Sequence, residues 1–296
     1  QGWNSHHKFY SINKNNKTRI AVIGDSYIAG LEPGYKNAIP YLLEQKLGTN
    51  KHEVYNFGIG GAHLSQYLHI FNKGGLKYDP SLIIFLVIHN DFTPSYTIDL
   101  TASGRYGGTF LTLSISRDGN IVEINPKPYN PKWDKLLDFR LIRFIFYQHK
   151  LRTRISYIKN LFLNEQYEMN MRTSSFNDTL DRDRLLAKYV VSKIMNTAKK
   201  RGIKILFVMN GDTQSIYKRT KLGKDSKSIK LNKMMRKITE DNDAHFLDLQ
   251  EIFYNDFKVN NKKFEFKTDG HWSPYGHAIA SEALIKKTRE ILNITE

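Results

Sequence analysis

Cysteine is absent from this 296-residue chain. That excludes a thiol nucleophile, disulfides and thiolate metal sites, and leaves the redox compartment open. Long apolar runs are absent too. The longest, Leu82 to Ile88, falls far short of the roughly 20 residues that a bilayer-spanning helix needs. Acidic residues are scarce: 29 against 45 basic ones, for a net charge of +16. That surplus favours anionic partners such as acidic glycans, membrane surfaces or nucleic acid, without choosing among them. There is no Gly-Lys-Ser/Thr phosphate loop and no His-Glu-x-x-His zinc motif. The stretch GIGGAH (58–63) lacks dinucleotide-binding spacing, and no acid follows it at a second strand end about 20 residues on. No metal and no cofactor is therefore expected. No signal peptide stands in the chain as given, which opens at Gln1 without a Met.

What is present reads as a folded α/β protein. Hydrophobic residues at 40% and charged residues at 25% are a globular balance, and the length suffices for a substantial core. Five short runs read as strands: RIAVIGDS (19–26), EVYNFGIGG (53–61), SLIIFLVIHND (81–91), IKILFVMNGD (203–212) and HFLDL (245–249). They are almost continuously apolar, as strands covered on both faces must be. Helical patterns lie between them. NAIPYLLEQKLG (37–48) stops on a glycine; Leu186, Val190 and Ile194 recur every fourth residue. Leu231, Met234, Met235 and Ile238 form an amphipathic stripe, and the last helix starts with Ser273 as N-cap and Pro274 in its first turn. The alternation implies a central, mostly parallel five-stranded sheet with helices on both faces. The chain reads as one domain, 1–296, with an insertion or small subdomain at about 92–180. Within it, residues 110–126 read as a β-hairpin turning at Asp118-Gly119, and residues 132–163 as one or two long helices.

Ligands of a doubly wound sheet bind outside the carboxyl ends of its strands. Three of those ends are chemically unusual: Ser26 after the first, Gly58, Gly60 and Gly61 after the second, and His89, Asn90 and Asp91 after the third. KTDGHWSPYGH (267–277) places Asp269 and His271 in a polar loop before the last helix. A serine attacks only when a base takes its proton, and an acid on the far nitrogen orients that base. Glycine backbone and an asparagine amide suit an oxyanion. Each part alone has an ordinary reading. Gly-Asp-Ser is a common turn, Asn caps turns, paired glycines allow tight turns, and a polar loop caps a helix. Only the four blocks in this order point to chemistry.

These four blocks together resemble the SGNH (GDSL) hydrolase family, across about residues 18–91 and 200–292. The resemblance implies a flavodoxin-like three-layer α/β/α sandwich. It implies an activity among esterase, lipase, carbohydrate deacetylase and O-acyltransferase. It makes Ser26 the nucleophile, His271 the base and Asp269 its partner. Gly61, Asn90 and the Ser26 N–H become the oxyanion donors. Two blocks depart from the family's pattern. Ile88 stands where the third block has glycine, which puts Asn90 on an altered backbone. The last block reads Asp-Gly-His where the family has Asp-x-x-His. Asp-x-His-Trp in turn resembles some SGNH-like O-acyltransferases of exopolysaccharide assembly. His277 stands in reserve as an alternative base, and His63 and His89 read as supporting or structural.

The expected function is a serine esterase that removes a small O-acyl group, acetyl first, from a carbohydrate through an acyl-enzyme. An O-acyltransferase with the same triad is the alternative, and a non-catalytic module for anionic glycan is the rival of another class. The expected partner is an acylated small molecule or glycan. The basic, aromatic stretch from Arg140 to Lys159 offers membrane-surface or protein contact, with packing on the sheet as its ordinary role. Cations recur every third residue from Lys218 to Arg236, a step that drifts around a helix and reads as a solvated face. Nucleic acid is not expected, since no recognised module is present. The compartment is left open, with a lean towards the bacterial envelope or periplasm if the start without Met reflects a processed rather than a trimmed N-terminus and the substrate is a glycan.

Overall fold

The computed structural model describes residues 2–92, 96–97, 111–115, 120–126, 176–218 and 226–294. Its strands are β1 (Thr18–Gly24), β2 (His52–Gly58), β3 (Leu82–Val87), β4 (Tyr96–Thr97), β5 (Thr112–Ile115), β6 (Ile121–Ile124), β7 (Lys204–Met209) and β8 (His245–Asp248). Its helices are α1 (Ser26–Ala29), α2 (Ile39–Leu47), α3 (Leu64–Lys73), α4 (Phe176–Arg201), α5 (Thr213–Tyr217), α6 (Lys227–Glu240), α7 (Gln250–Asn260) and α8 (Pro274–Leu292).

Five strands pair in the order β2-β1-β3-β7-β8, all parallel. Alternation along each strand fills two cores. Ala21, Ile23, Phe85 and Phe207 face the layer of α3, α4 and α6, and pack against Leu68, Leu186 and Met235. Ile20, Val22, Ile84 and Val208 face α2, α7 and α8, and pack against Leu43, Phe253 and Leu284. This is the expected three-layer sandwich. The helical stripes read from the sequence, Leu186/Val190/Ile194 and Leu231/Met234/Met235/Ile238, are all buried.

The strand order reverses between β1 and β3. The chain leaves β1 for β2 on one side and returns to pair β3 on the other. Loops at such a switch point diverge and open a crevice at the carboxyl edge. The polar ends of β1 and β3 both fall there. The strands also stop sooner than their sequence patterns suggested, at Gly24, Gly58 and Val87. The polar and glycine residues at each end turn out of the ladder, so Ser26, Gly60, Gly61 and Asn90 lie on the connecting turns. At the opposite edge, Arg19 is fully buried. It donates to Glu53 at 2.8 Å and to the Tyr78 carbonyl at 2.6 Å, which pairs its charge inside the fold.

Two local expectations change. The segment 37–48 is not helical throughout: a 3₁₀ turn covers Tyr35–Asn37, and α2 begins at Ile39. Ser273 stands at the N-cap position, but its Oγ donates to the Phe264 carbonyl at 2.8 Å and caps no helix N–H. The expected hairpin is present as antiparallel β5 and β6, with β4 parallel to β5. Leu111 and Leu113 sink into the same core as α3. The turn at Asp118-Gly119, the helices read over 132–163 and the basic stretch 140–159 lie outside the described residues. Among the described residues, no helix is long and apolar enough to cross a membrane.

Candidate active site

The turn after β1 is built by its own side chains. Asp25 Oδ1 accepts the Tyr27 N–H at 2.9 Å, which starts the single turn of α1 at Ser26. Gly30 closes it in the left-handed region, φ 58°, and its N–H donates to the Ser26 carbonyl. The turn lies flush against the strand ends. A Cβ on Gly58 would sit 2.1 Å from the Ala29 nitrogen, and one on Gly24 would sit 2.5 Å from Ile28 Cγ1. No other residue permits that approach. Ser26 is thereby held half-buried at the crevice.

His271 arrives from the loop between α7 and α8. That loop is pinned at several points. Glu265 bridges to Trp272, the Phe266 N–H donates to the His271 carbonyl at 3.1 Å, and Tyr27 Oη donates to the Gly270 carbonyl at 2.8 Å. Trp272 is fully buried with its ring edge-on to Tyr27 and Phe253. His271 Nε2 lies 2.8 Å from Ser26 Oγ, and its Nδ1 lies 2.5 Å from Asp269 Oδ1. The carboxylate can only accept, so Nδ1 carries the proton and Nε2 accepts from the serine hydroxyl.

The shortened spacing has a local explanation. Asp269 Oδ1 also accepts the His271 backbone N–H, at 3.0 Å. One oxygen thus holds both the backbone and the ring of the residue two positions on, an Asx-type turn that needs the i, i+2 separation. Those two bonds, the backbone one first, hold the Asp269 carboxyl below the usual carboxylate range. A second acid, which the sequence did not single out, faces the same nitrogen: Glu32 Oε1 lies 3.8 Å from His271 Nδ1. It belongs to the loop after α1 and carries no local signature. Glu32, Asp269 and His271 offer donor atoms within 4.8 Å of one another, so a divalent ion would meet three ligands there.

Asn90 is exposed on the 3₁₀ turn His89–Asp91. The turn is anchored from beneath by Asp91, fully buried, which accepts from the Ile88 N–H at 2.8 Å and from Tyr67 Oη at 2.7 Å. Ile88 has φ −100° and ψ 154°, an ordinary extended backbone, so the missing glycine leaves no strain under Asn90. Gly60 lies beside the serine: a Cβ there would sit 4.0 Å from Ser26 Cβ. Gly61 takes φ 74° in a turn closed by Ala62 N–H to the Ile59 carbonyl, and it is exposed.

The three other histidines that the sequence set beside the site take structural places. His277 is buried one turn into α8, edge-on to Trp272, and burial pushes its pKa down to about 4. It is not the histidine on Ser26. His63 caps α3, its N–H donating to Gln66 Oε1, and lies 4.0 Å from Asp91. His89 Nε2 lies 2.9 Å from Asn232 Oδ1, linking the β3 turn to α6.

Behind the serine lie two buried acids. Burial first, and then the neighbouring Asp91 charge, raise the Asp25 carboxyl to about 7. Burial likewise raises Asp91, against hydrogen bonds that favour its charge.

A sequence model of the family described as GDSL-like Lipase/Acylhydrolase matches residues 20–284. Among solved structures, the chain is similar to an acetyl xylan esterase, AlAXEase. The identity is 13% and the TM-score 0.52, over 91% of this chain and 98% of that one. An α/β hydrolase from the metagenome of Lake Arreo, Spain, is 10% identical with a TM-score of 0.51, covering 93% and 98%. The psychrotrophic esterase EstA from Pseudoalteromonas sp. is 10% identical with a TM-score of 0.50, covering 94% and 100%. At these identities the likeness is one of fold. No curated protein sequence matches the chain.

Proposed function

The chain belongs to the GDSL-like lipase/acylhydrolase family and is a serine hydrolase, and on that premise we propose that it is an esterase removing a small acyl group, acetyl first, from an O-acylated carbohydrate. The observation that carries this reading is the chain of contacts from Ser26 Oγ to His271 Nε2 at 2.8 Å and from His271 Nδ1 to Asp269 at 2.5 Å.

In the proposed reaction Ser26 Oγ attacks the ester carbonyl carbon and His271 Nε2 takes its proton. Asp269 holds the Nδ1–H and steadies the imidazolium. The carbonyl oxygen becomes an oxyanion facing the backbone N–H of Ser26 and Gly61 and the Asn90 amide. The alcohol leaves with the proton from His271. Water then repeats the sequence on the acyl-enzyme and frees the acid. Two observations support an acetylated glycan. An acetyl xylan esterase shares the fold, and the net charge of +16 suits an anionic polymer. His271 and Asp269 side chains are 30% and 41% exposed, so the site is open enough to meet a polymer. The Asp269-Gly-His-Trp block keeps one further reading, in which a sugar hydroxyl replaces water and the acyl group is transferred.

The test is turnover of a chromogenic acetate ester, with and without a sugar acceptor. Wild type turns over and Ser26→Ala loses roughly 10⁴-fold or more in kcat. Acylated sugar formed only with acceptor selects the transferase. Absence of turnover, with retained binding of an anionic glycan, overturns the enzyme reading in favour of a binding module.

A further inference from the structure

The segment before β1 carries a group of donors that the ester chemistry does not use. His6 Nε2 lies 2.9 Å from Glu44 Oε1, and His7 Nε2 lies 2.7 Å from Glu44 Oε2. Glu44 sits on α2, and its side chain is only 3% exposed. Glutamate is seldom buried this far unless it is paired. The Val54 N–H donates to the same Oε2 at 2.6 Å and ties the carboxylate to β2. The two rings lie 4.0 Å apart by centroids, tilted by 37°. Two successive side chains therefore turn the same nitrogen towards one buried acid. The three donor atoms lie within 4.8 Å of one another.

Two imidazole nitrogens and a carboxylate are a donor set for zinc and similar ions. Ligands about 2.0–2.2 Å from a tetrahedral ion stand roughly 3.3 Å from each other. The two nitrogen-to-oxygen distances, each to its own carboxylate oxygen, would open by a few tenths of an ångström to admit the ion, and the whole donor set lies within 4.8 Å. Val54 supplies the outer-shell bond that such sites use to orient a carboxylate. The His6 and His7 side chains are 27% and 18% exposed, which leaves an entry path and room for a water as fourth ligand.

We propose that His6 Nε2, His7 Nε2 and the Glu44 carboxylate form a binding site for a divalent ion of the zinc type, separate from the ester site. On binding, each imidazole offers its Nε2 lone pair. Any proton that nitrogen shares with Glu44 moves to Nδ1 or to solvent, so affinity falls with acid. The ion staples the N-terminal segment to α2. That segment also supports the serine turn: Asn4 Nδ2 donates to the Ala29 and Gly30 carbonyls at 2.9 and 2.7 Å, at the end of α1. The proposal does not rest on the ester chemistry, and either can fail alone.

The test uses the full chain, stripped with a chelator and titrated with ZnCl₂ against a chromophoric competitor, with CoCl₂ as a spectroscopic substitute. Wild type binds one equivalent more than the His6→Asn/His7→Asn double variant. Each single variant weakens that equivalent by at least the roughly 10–100-fold that loss of an outer-shell partner causes. Zinc raises the wild-type Tm, and the double variant loses that rise. Each variant's zinc-induced rise is read against its own zinc-free Tm, because the two rings also pair the buried Glu44 carboxylate; the single variants, which leave one ring on Glu44, serve where the double variant does not fold. Equal zinc stoichiometry and affinity in wild type and double variant overturn the proposal and place the ion elsewhere in the chain. No uptake by wild type overturns it as well, and leaves the cluster a hydrogen-bonded latch.

Discussion

Asp25→Asn separates what the serine turn needs from its acid and what the acid costs. The turn needs an acceptor for the Tyr27 N–H, now Asp25 Oδ1 at 2.9 Å, and an asparagine oxygen supplies one. The charge is another matter. Burial and Asp91 raise the Asp25 carboxyl from its ordinary 3.8 to about 7. The folded state then holds this proton more tightly than the unfolded chain does. The sign follows from linkage: stability from this group is intact below pH 3.8 and is lost as pH rises from there to about 7. The gap of about three pKa units, at about 1.4 kcal/mol each, amounts to roughly 4 kcal/mol at pH 8. Asparagine does not titrate. Its stability relative to wild type therefore climbs by about 1.4 kcal/mol per pH unit between about pH 4 and 7 and then levels off. Removing this charge also relieves Asp91, so part of the gain arises at that neighbour, and a cycle with Asp91→Asn measures the share. Urea unfolding of both proteins at pH 4, 5, 6, 7 and 8 reads the effect. Parallel curves, with a constant offset at every pH, would show that the folded state holds the Asp25 proton no more tightly than the unfolded chain does and would refute the reasoning.

Three further outcomes are expected. Asn90→Ala lowers kcat on an acetate ester by roughly 10²–10³, the range for one lost oxyanion donor. Its Tm is unmoved because the side chain is exposed, and an unchanged kcat removes Asn90 from the reaction. Gly58→Ala pushes a methyl group to 2.1 Å from the Ala29 nitrogen. It costs at least the roughly 1–3 kcal/mol of overpacking, and activity falls as α1 shifts; thermal unfolding at wild-type temperature would contradict the close approach. Asp269→Asn and Glu32→Gln are expected to be non-additive in kcat/KM, with a coupling of roughly 0.5–3 kcal/mol, because both carboxylates face His271 Nδ1. Strict additivity in the double variant assigns Glu32 no part in holding the imidazole.

The strands and the helical stripes were legible because burial on both faces of a parallel sheet demands unbroken apolar runs, and one-sided burial of a helix demands a 3.6-residue period. The residues that break those runs, Ser26, the paired glycines and His89 to Asp91, were legible for the complementary reason: a polar group at a strand end has no place in the core. Other features left weaker traces. Ser273 reads as a cap from its position before Pro274, yet the neighbouring Phe264 carbonyl takes its hydroxyl. His277 reads as a spare base, yet burial beside Trp272 holds it neutral. Ile88 reads as a departure that disturbs Asn90, yet its backbone is extended and unstrained.

The order of apolar and polar segments along this chain is enough to determine a doubly wound sheet and to bring its reactive strand ends to one edge, since both follow from local period and from the geometry of parallel crossovers. Tertiary structure alone decided which groups meet there. Ser26 and His271 stand 245 positions apart and still share a hydrogen bond. Glu32 reaches that histidine from a loop without a signature. His6 and His7 close on a glutamate 38 and 37 positions further on, respectively. Such contacts depend on through-space distance, and the pKa of Asp25 depends on burial, neither of which has a period for a sequence to display.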